Sequence, residues 1–306
     1  MKRCVLFFCA SLTALGLVLN PSVASAAEVK LGIAMMGDWW KPGYMKLVNE
    51  SAGKLYGSNT KQNLDGSFMM GPMLWANIAS DWNLNFQMLF GLNKNYFDYS
   101  TVAADVILIS ATGDPRRLYI DLGEVDIWKM DMDLVFERVL HKYINLLIGA
   151  RFSYNDGKTE SYSLNALPAG WPINYKEDDF SAWYLGPSVG VGFHFELYRG
   201  LTLGFGVSAL IQFGSYNAEK KYLLSYFIPF KYEVGHFDMG LDNYIKLSYF
   251  IAPASIEVWI GGRYIVLPHI VAGDDGSVLD LTYEEGWITG EVEHFGGITF
   301  GAAYKF

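Results

Sequence analysis

The chain has 306 residues, with 23 Lys and Arg against 32 Asp and Glu, for a formal net charge of −9. That acidic balance speaks against nucleic acid as a partner. Aromatic residues supply 16% of the chain and charged residues only 18%, below the quarter or so expected of a soluble domain, which disfavours an ordinary soluble enzyme.

Residues 1–26 read as a cleavable export signal. Lys2 and Arg3 form a positive start, an apolar stretch runs from Cys4 to about Leu19, and Ala24-Ser25-Ala26 matches a small-x-small cleavage site. The apolar core is short for a membrane anchor, and Asn20-Pro21 interrupts it. Phe7 and Phe8 stand before Cys9 where a lipoprotein signal needs small residues. Both cysteines, Cys4 and Cys9, fall in this segment. The expected mature chain, 27–306, therefore has no thiol to serve as disulfide, metal ligand or nucleophile. It also has no apolar run long enough for a transmembrane helix.

After the signal the apolar residues recur with period two, as half-buried strands do. A first strand fits about 29–38. Phe68–Ile78 and Leu84–Leu92 flank a turn at Ser80-Asp81-Trp82, and Trp128–Phe136 and Ile144–Tyr154 flank a turn around Leu140-His141-Lys142. In the next hairpin, Leu185, Val189, Val191, Phe193 and Phe195 share one face, then Leu197–Gly200 turns the chain. From Leu201 to Gly214, odd positions are apolar and even ones are small or polar, with Leu210 the exception. Leu241–Ile251 and Ile256–Val266 flank Ala252-Pro253-Ala254, and a last strand fits about 292–306. Long polar segments at 41–66, 94–117, 156–181, 215–236 and 268–290 separate the hairpins. Val106–Ile109 is an apolar run in the second of them that could add one more hairpin.

The closing stretch Gly297–Phe306 places Ile298, Phe300, Ala302, Tyr304 and Phe306 on one face. It resembles the terminal strand of bacterial outer-membrane β-barrels, the segment their assembly machinery recognises, and the whole pattern is similar to small porin-like or opacity-type barrels. The resemblance gives Phe300, Tyr304 and Phe306 an outer-membrane targeting role. The expected fold is all-β, a transmembrane antiparallel up-and-down barrel of about ten strands, with eight to twelve compatible. An even strand number puts both termini in the periplasm and the long segments outside.

Alternation assigns the inward face. Lys129, Asp131, Asp133, Glu137, Arg151, His194, Glu196, Asp238, Asp242, Lys246, Glu257 and Arg263 are expected to line the lumen, since such groups are costly in hydrocarbon. Trp75 and Trp259 also read as inward, and Tyr154, Tyr249 and Tyr264 as an outward girdle. The charges serve either as cross-lumen pairs that fill the barrel or as the walls of a narrow pathway. Ten strands lie between filled eight-stranded barrels and open porins. Gly186, Gly190, Gly192, Gly204 and Gly206 on one inner wall favour free space. Lys41, Lys46, Lys54 and Lys61 near the first strand, and Asp274, Asp275, Asp280, Glu284, Glu285, Glu291 and Glu293 before the last, are expected to meet at the outer mouth.

Gly273-Asp274-Asp275-Gly276 lacks the ligand spacing of a calcium loop. His236, Asp238, His269 and His294 form no hydrolase motif, and no G-x-S-x-G or zinc signature is present. No catalytic residue, metal or cofactor is expected. The favoured function is a narrow porin-like channel for ions or small solutes. The alternative is a plugged surface barrel whose loops bind a ligand or a host or matrix partner, and an outer-membrane hydrolase is a distant third. The partners implied are outer-membrane lipid, the assembly machinery during biogenesis, and solutes or ions.

Overall fold

The computed structural model describes residues 28–41, 67–99, 119–165, 173–222, 230–274 and 292–306. The export signal, Val106–Ile109 and most of the lysine and carboxylate loop residues lie outside them. Ten strands follow in chain order: β1 (Val29–Lys41), β2 (Ser67–Ala79), β3 (Trp82–Tyr99), β4 (Tyr119–His141), β5 (Ile144–Asn165), β6 (Ile173–Tyr198), β7 (Leu201–Tyr222), β8 (Phe230–Ile251), β9 (Ile256–Asp274) and β10 (Val292–Lys305). Each pairs antiparallel with its sequence neighbours, and β1 pairs with β10 from Lys30↔Lys305 to Lys41↔His294, so the sheet closes. β3 pairs directly with β4 up to Tyr99↔Asp121.

Local chemistry fixes the tight turns. Gly200 takes φ 78° between β6 and β7, a left-handed conformation that suits a residue without Cβ. Between β8 and β9, Pro253 lies in a single 3-10 turn and Ser255 takes the left-handed position at φ 52°. Gly71-Pro72 on β2 and Gly186-Pro187 on β6 interrupt two ladders. Their register omits the rungs between Met70 and Met73 and between Leu185 and Ser188, since proline brings no N–H. A Cβ on Gly71 would lie 1.9 Å from the Met88 carbonyl oxygen, and one on Gly186 1.6 Å from that of Ile211, so only glycine permits this approach of neighbouring strands.

The outward face carries an apolar belt in which Ile33, Met70, Val189, Phe205, Ile245, Ile260 and Ile298 are all exposed. Aromatic pairs border it. Towards the long connections stand Trp128–Tyr154 and Trp39–Tyr264, with ring centroids 5.8 and 5.5 Å apart. Towards the short turns stand Tyr143–Phe195 at 5.5 Å and Tyr304–Phe306 at 4.9 Å. An apolar band with aromatic rims on a closed sheet matches the solvent requirements of a bilayer.

Strands β4 to β8 are 22 to 26 residues long, whereas β1 and β2 have 13 each and β10 has 14. At about 3.3 Å per residue and a tilt of about 40°, 22 residues rise roughly 55 Å, well beyond an apolar band of about 25 Å. One side of the barrel therefore projects as a paired wall. Much of 94–117, 156–181, 215–236 and 268–290, expected as loops, is strand instead. Runs such as Lys158-Thr159-Glu160-Ser161 and Glu219-Lys220-Lys221 are polar on both faces. They carry no alternation to read, while their backbone groups pair as well as any others.

The belt predicts a depth-dependent penalty. Ile260→Arg, at a position 57% exposed in the belt, is expected to destabilise the lipid-embedded barrel by about 2–4 kcal/mol, and Leu197→Arg near the turn rim by about 0–1 kcal/mol. Denaturant unfolding in bilayers measures both; equal penalties would contradict this placement of the membrane.

Candidate functional site

The strand register sets every inward position. Odd positions of β2 to β5 and even positions of β6 to β8 face the lumen, so the pairs Gly91↔Lys129, Asp133↔Arg151 and Tyr244↔Arg263 put their side chains on the same inner surface. The lumen then divides into three levels.

The level nearest the long connections is filled. Met36, Met69, Leu89, Ile127, Tyr184, Leu210, Tyr216, Ile265, Leu267 and Phe295 pack as one buried cluster, and none exceeds 4% exposure. An ion pair sits within it: Lys129 Nζ donates to Asp38 Oδ2 at 2.8 Å, with the Phe295 ring 5.7 Å from the ammonium. Glu293, expected on a mouth loop, belongs to β10 and is buried inward within the Coulombic field of Lys129.

The middle level is a septum of charge. Arg151 Nε donates to Asp131 Oδ1 at 2.8 Å, and Arg263 Nη1 donates to Asp131 Oδ2 at 3.2 Å. Arg263 also donates to Asp133 through Nη1, and to Asp242 Oδ1 through Nε at 3.1 Å. One guanidinium from β9 thus gathers carboxylates from β4 and β8. Its planar fork of five donors suits it to such bridging.

The third level, towards the short turns, is an open cavity of about 540 Å³. Glu257 accepts from Lys30 at 2.8 Å and pairs with Lys246 at 3.2 Å. Each lysine covers an inward tryptophan, Lys30 over Trp75 at 4.4 Å and Lys246 over Trp259 at 4.8 Å. On the facing wall Glu137 draws hydrogen bonds from Asn85 and Asn145, and Asn145 also contacts His194 Nδ1 at 3.2 Å. Side-chain exposure falls from 37% at Lys246 to 11% at Arg263, 4% at Asp131 and 0% at Asp38. Water therefore reaches the lumen from the turn end and stops at the septum.

Of the residues assigned to the lumen, Asp131, Asp133, Arg151, Asp242 and Arg263 form one network, and Glu137, Lys246 and Glu257 line the cavity. His194 joins the cavity wall, whereas Glu196 is exposed beside the turn and stands apart from both groups. Asp238 was expected to line the lumen. It lies inside β8, which begins at Phe230, and it is fully buried. The side chains of His236 and His269 lie outside the described residues, and His294 faces outward, sharing a 2.7 Å hydrogen bond with the Tyr264 hydroxyl. Phe300, Tyr304 and Phe306 are exposed on the outer surface of the closing strand. Two of the inner glycines face a tyrosine. A Cβ on Gly206 would meet the Tyr244 ring at 2.5 Å and one on Gly192 the Tyr244 hydroxyl at 3.1 Å, so both make room for that tyrosine. Alternation missed Lys30, Asp38 and the plugging methionines. Period two identifies their face, but it does not say that they meet across the lumen.

No protein-family model and no curated protein matches the chain. Solved structures with a similar fold include the outer membrane protease OmpT from Escherichia coli, 10% identical over 92% of this chain and 96% of that one, with a TM-score of 0.48. Ail, the attachment invasion locus protein of Yersinia pestis, is 10% identical over 92% and 97% with a TM-score of 0.29. The toluene transporter TodX of Pseudomonas putida is 8% identical over 92% and 90% with a TM-score of 0.33. Likeness at this distance carries no argument about function.

Two substitutions probe the filled lumen. Arg263→Leu takes the guanidinium from Asp133 and Asp242 and leaves Asp131 to Arg151 alone, and is expected to cost about 3–5 kcal/mol in guanidinium unfolding, the scale for breaking a buried ion network. Gln212 is fully buried, and neither its amide oxygen nor its nitrogen has a partner among the described residues. Gln212→Leu removes that desolvation cost and is expected to raise the melting temperature; a lower one would show that the amide is satisfied.

Proposed function

We propose that this chain is a bacterial outer-membrane barrel with a closed lumen, acting at the cell surface through the strands and connections that project beyond its apolar belt, rather than the narrow channel that its inward charges suggest. The observation that carries this reading is the buried cluster of Met36, Met69, Leu89, Tyr184 and Phe295 across the barrel, continuous with the Arg263 septum. An ion crossing that layer would have to exchange most of its water for a largely apolar layer in which Asp38 and Lys129 already hold each other, at a large cost in hydration. The short turns and both strand termini share one end, which in this reading faces the periplasm; the long connections and the tall β3–β8 wall face outward. A ligand or a host or matrix partner then meets the projecting wall. The hydrolase reading gains no support, since Asp238 is sealed from water in the filled level.

Planar-bilayer recording tests the closure. The native barrel is expected to give no discrete conductance steps. The combined variant Met69→Ala, Leu89→Ala, Phe295→Ala opens the filled level and is expected to conduct. Reproducible steps from the native protein would restore the channel.

A further inference from the structure

We propose that the cavity at the turn end is a binding site for a neutral polyhydroxyl solute on the scale of a mono- or disaccharide. Its volume, about 540 Å³, falls within the roughly 300–1,000 Å³ typical of small-molecule sites. The septum makes it blind, so a solute that enters leaves by the same mouth.

The chemistry of the walls selects against other classes. The buried charged groups satisfy one another: Glu257 holds Lys30 and Lys246, Glu137 is held by two asparagines near Lys246, and the arginines of the septum are bound to aspartates, while Lys142 stands exposed at the mouth. An ionic ligand would have to displace these partners. An apolar ligand could lie on Met73, Val135 and Leu147, but it would strip water from the polar side chains beside them without replacing it, and lysines cover Trp75 and Trp259. What remains uncommitted is neutral, these apolar side chains together with a set of polar ones. Gln87, Ser188, Ser208 and Thr299 face the cavity and bond to no other described side chain. Gly204 lines the same cavity, where an added Cβ would touch the His194 ring at 3.6 Å. Neutral donors and acceptors spread over opposite walls, with room between them, match a ligand that carries many hydroxyls and no charge.

The test uses the full chain folded in detergent and trehalose as probe, followed by calorimetric titration. One saturable site is expected. Gln87→Leu and Ser208→Ala should each weaken it about five-fold, the effect of one lost neutral hydrogen bond, without lowering the melting temperature. Sodium sulfate and cyclohexanol should not compete. Absence of saturable trehalose binding, binding indifferent to both substitutions, or displacement by sulfate would overturn the proposal. Because conductance is recorded separately, a barrel that stays silent but takes no trehalose rejects this site and leaves the closed-lumen reading standing.

Discussion

A backbone N–H facing hydrocarbon has no partner except another strand, and the rest of this structure depends on that constraint. The pairing of β1 with β10 satisfies it, extended by the Phe306 amide donating to the Val29 carbonyl at 2.9 Å. Once the sheet is closed, the two faces have different solvents and the side-chain period of two becomes compulsory. A slip of one residue in any pair would turn Arg151 or Asp131 into lipid and Phe152 or Met132 into the lumen. Register, inside and outside are therefore one decision.

The same constraint explains what was legible in the sequence. Where one face meets lipid and the other does not, as from Leu201 to Gly214, alternation reveals strand, register and facing at once. Four hairpins, the first strand and the last were readable on this signal, and so was the inward set from Lys129 to Arg263. Beyond the apolar belt the signal disappears. Residues 156–165 continue β5 with a sequence that is mostly polar at odd and even positions alike, so hydropathy reports a loop while the ladder persists to Leu164↔Ile173. The state of the lumen was illegible for another reason. Alternation says that Met36, Met69 and Phe295 point inward, but closure depends on distances across the barrel, which no single strand encodes.

Those distances are set in part by the two Gly-Pro steps. Gly71 stands between buried Met69 and cavity-lining Met73, and Gly186 between buried Tyr184 and cavity-lining Ser188. Both steps thus sit at the level where the lumen passes from open to filled. Glycine lets the neighbouring strand come close, and proline removes the N–H that would hold the ladder regular. The filling above them needs only ordinary side chains, because ten strands enclose a lumen narrow enough for facing residues to meet.

The septum and the apolar level then divide the work of closure. Ion networks that lose their water gain little net stability over apolar packing, since desolvation offsets most of the Coulombic attraction. What they supply is specificity. Arg263 on β9 reaches carboxylates on β4 and β8 only in the observed register. Met69, Leu89 and Phe295 would pack in several arrangements, and it is the polar layer beneath them that selects one. The barrier to water lies in the apolar level, where Asp38 and Lys129 are buried as an ion pair. The partly wet septum holds the walls in the one alignment that makes that barrier continuous.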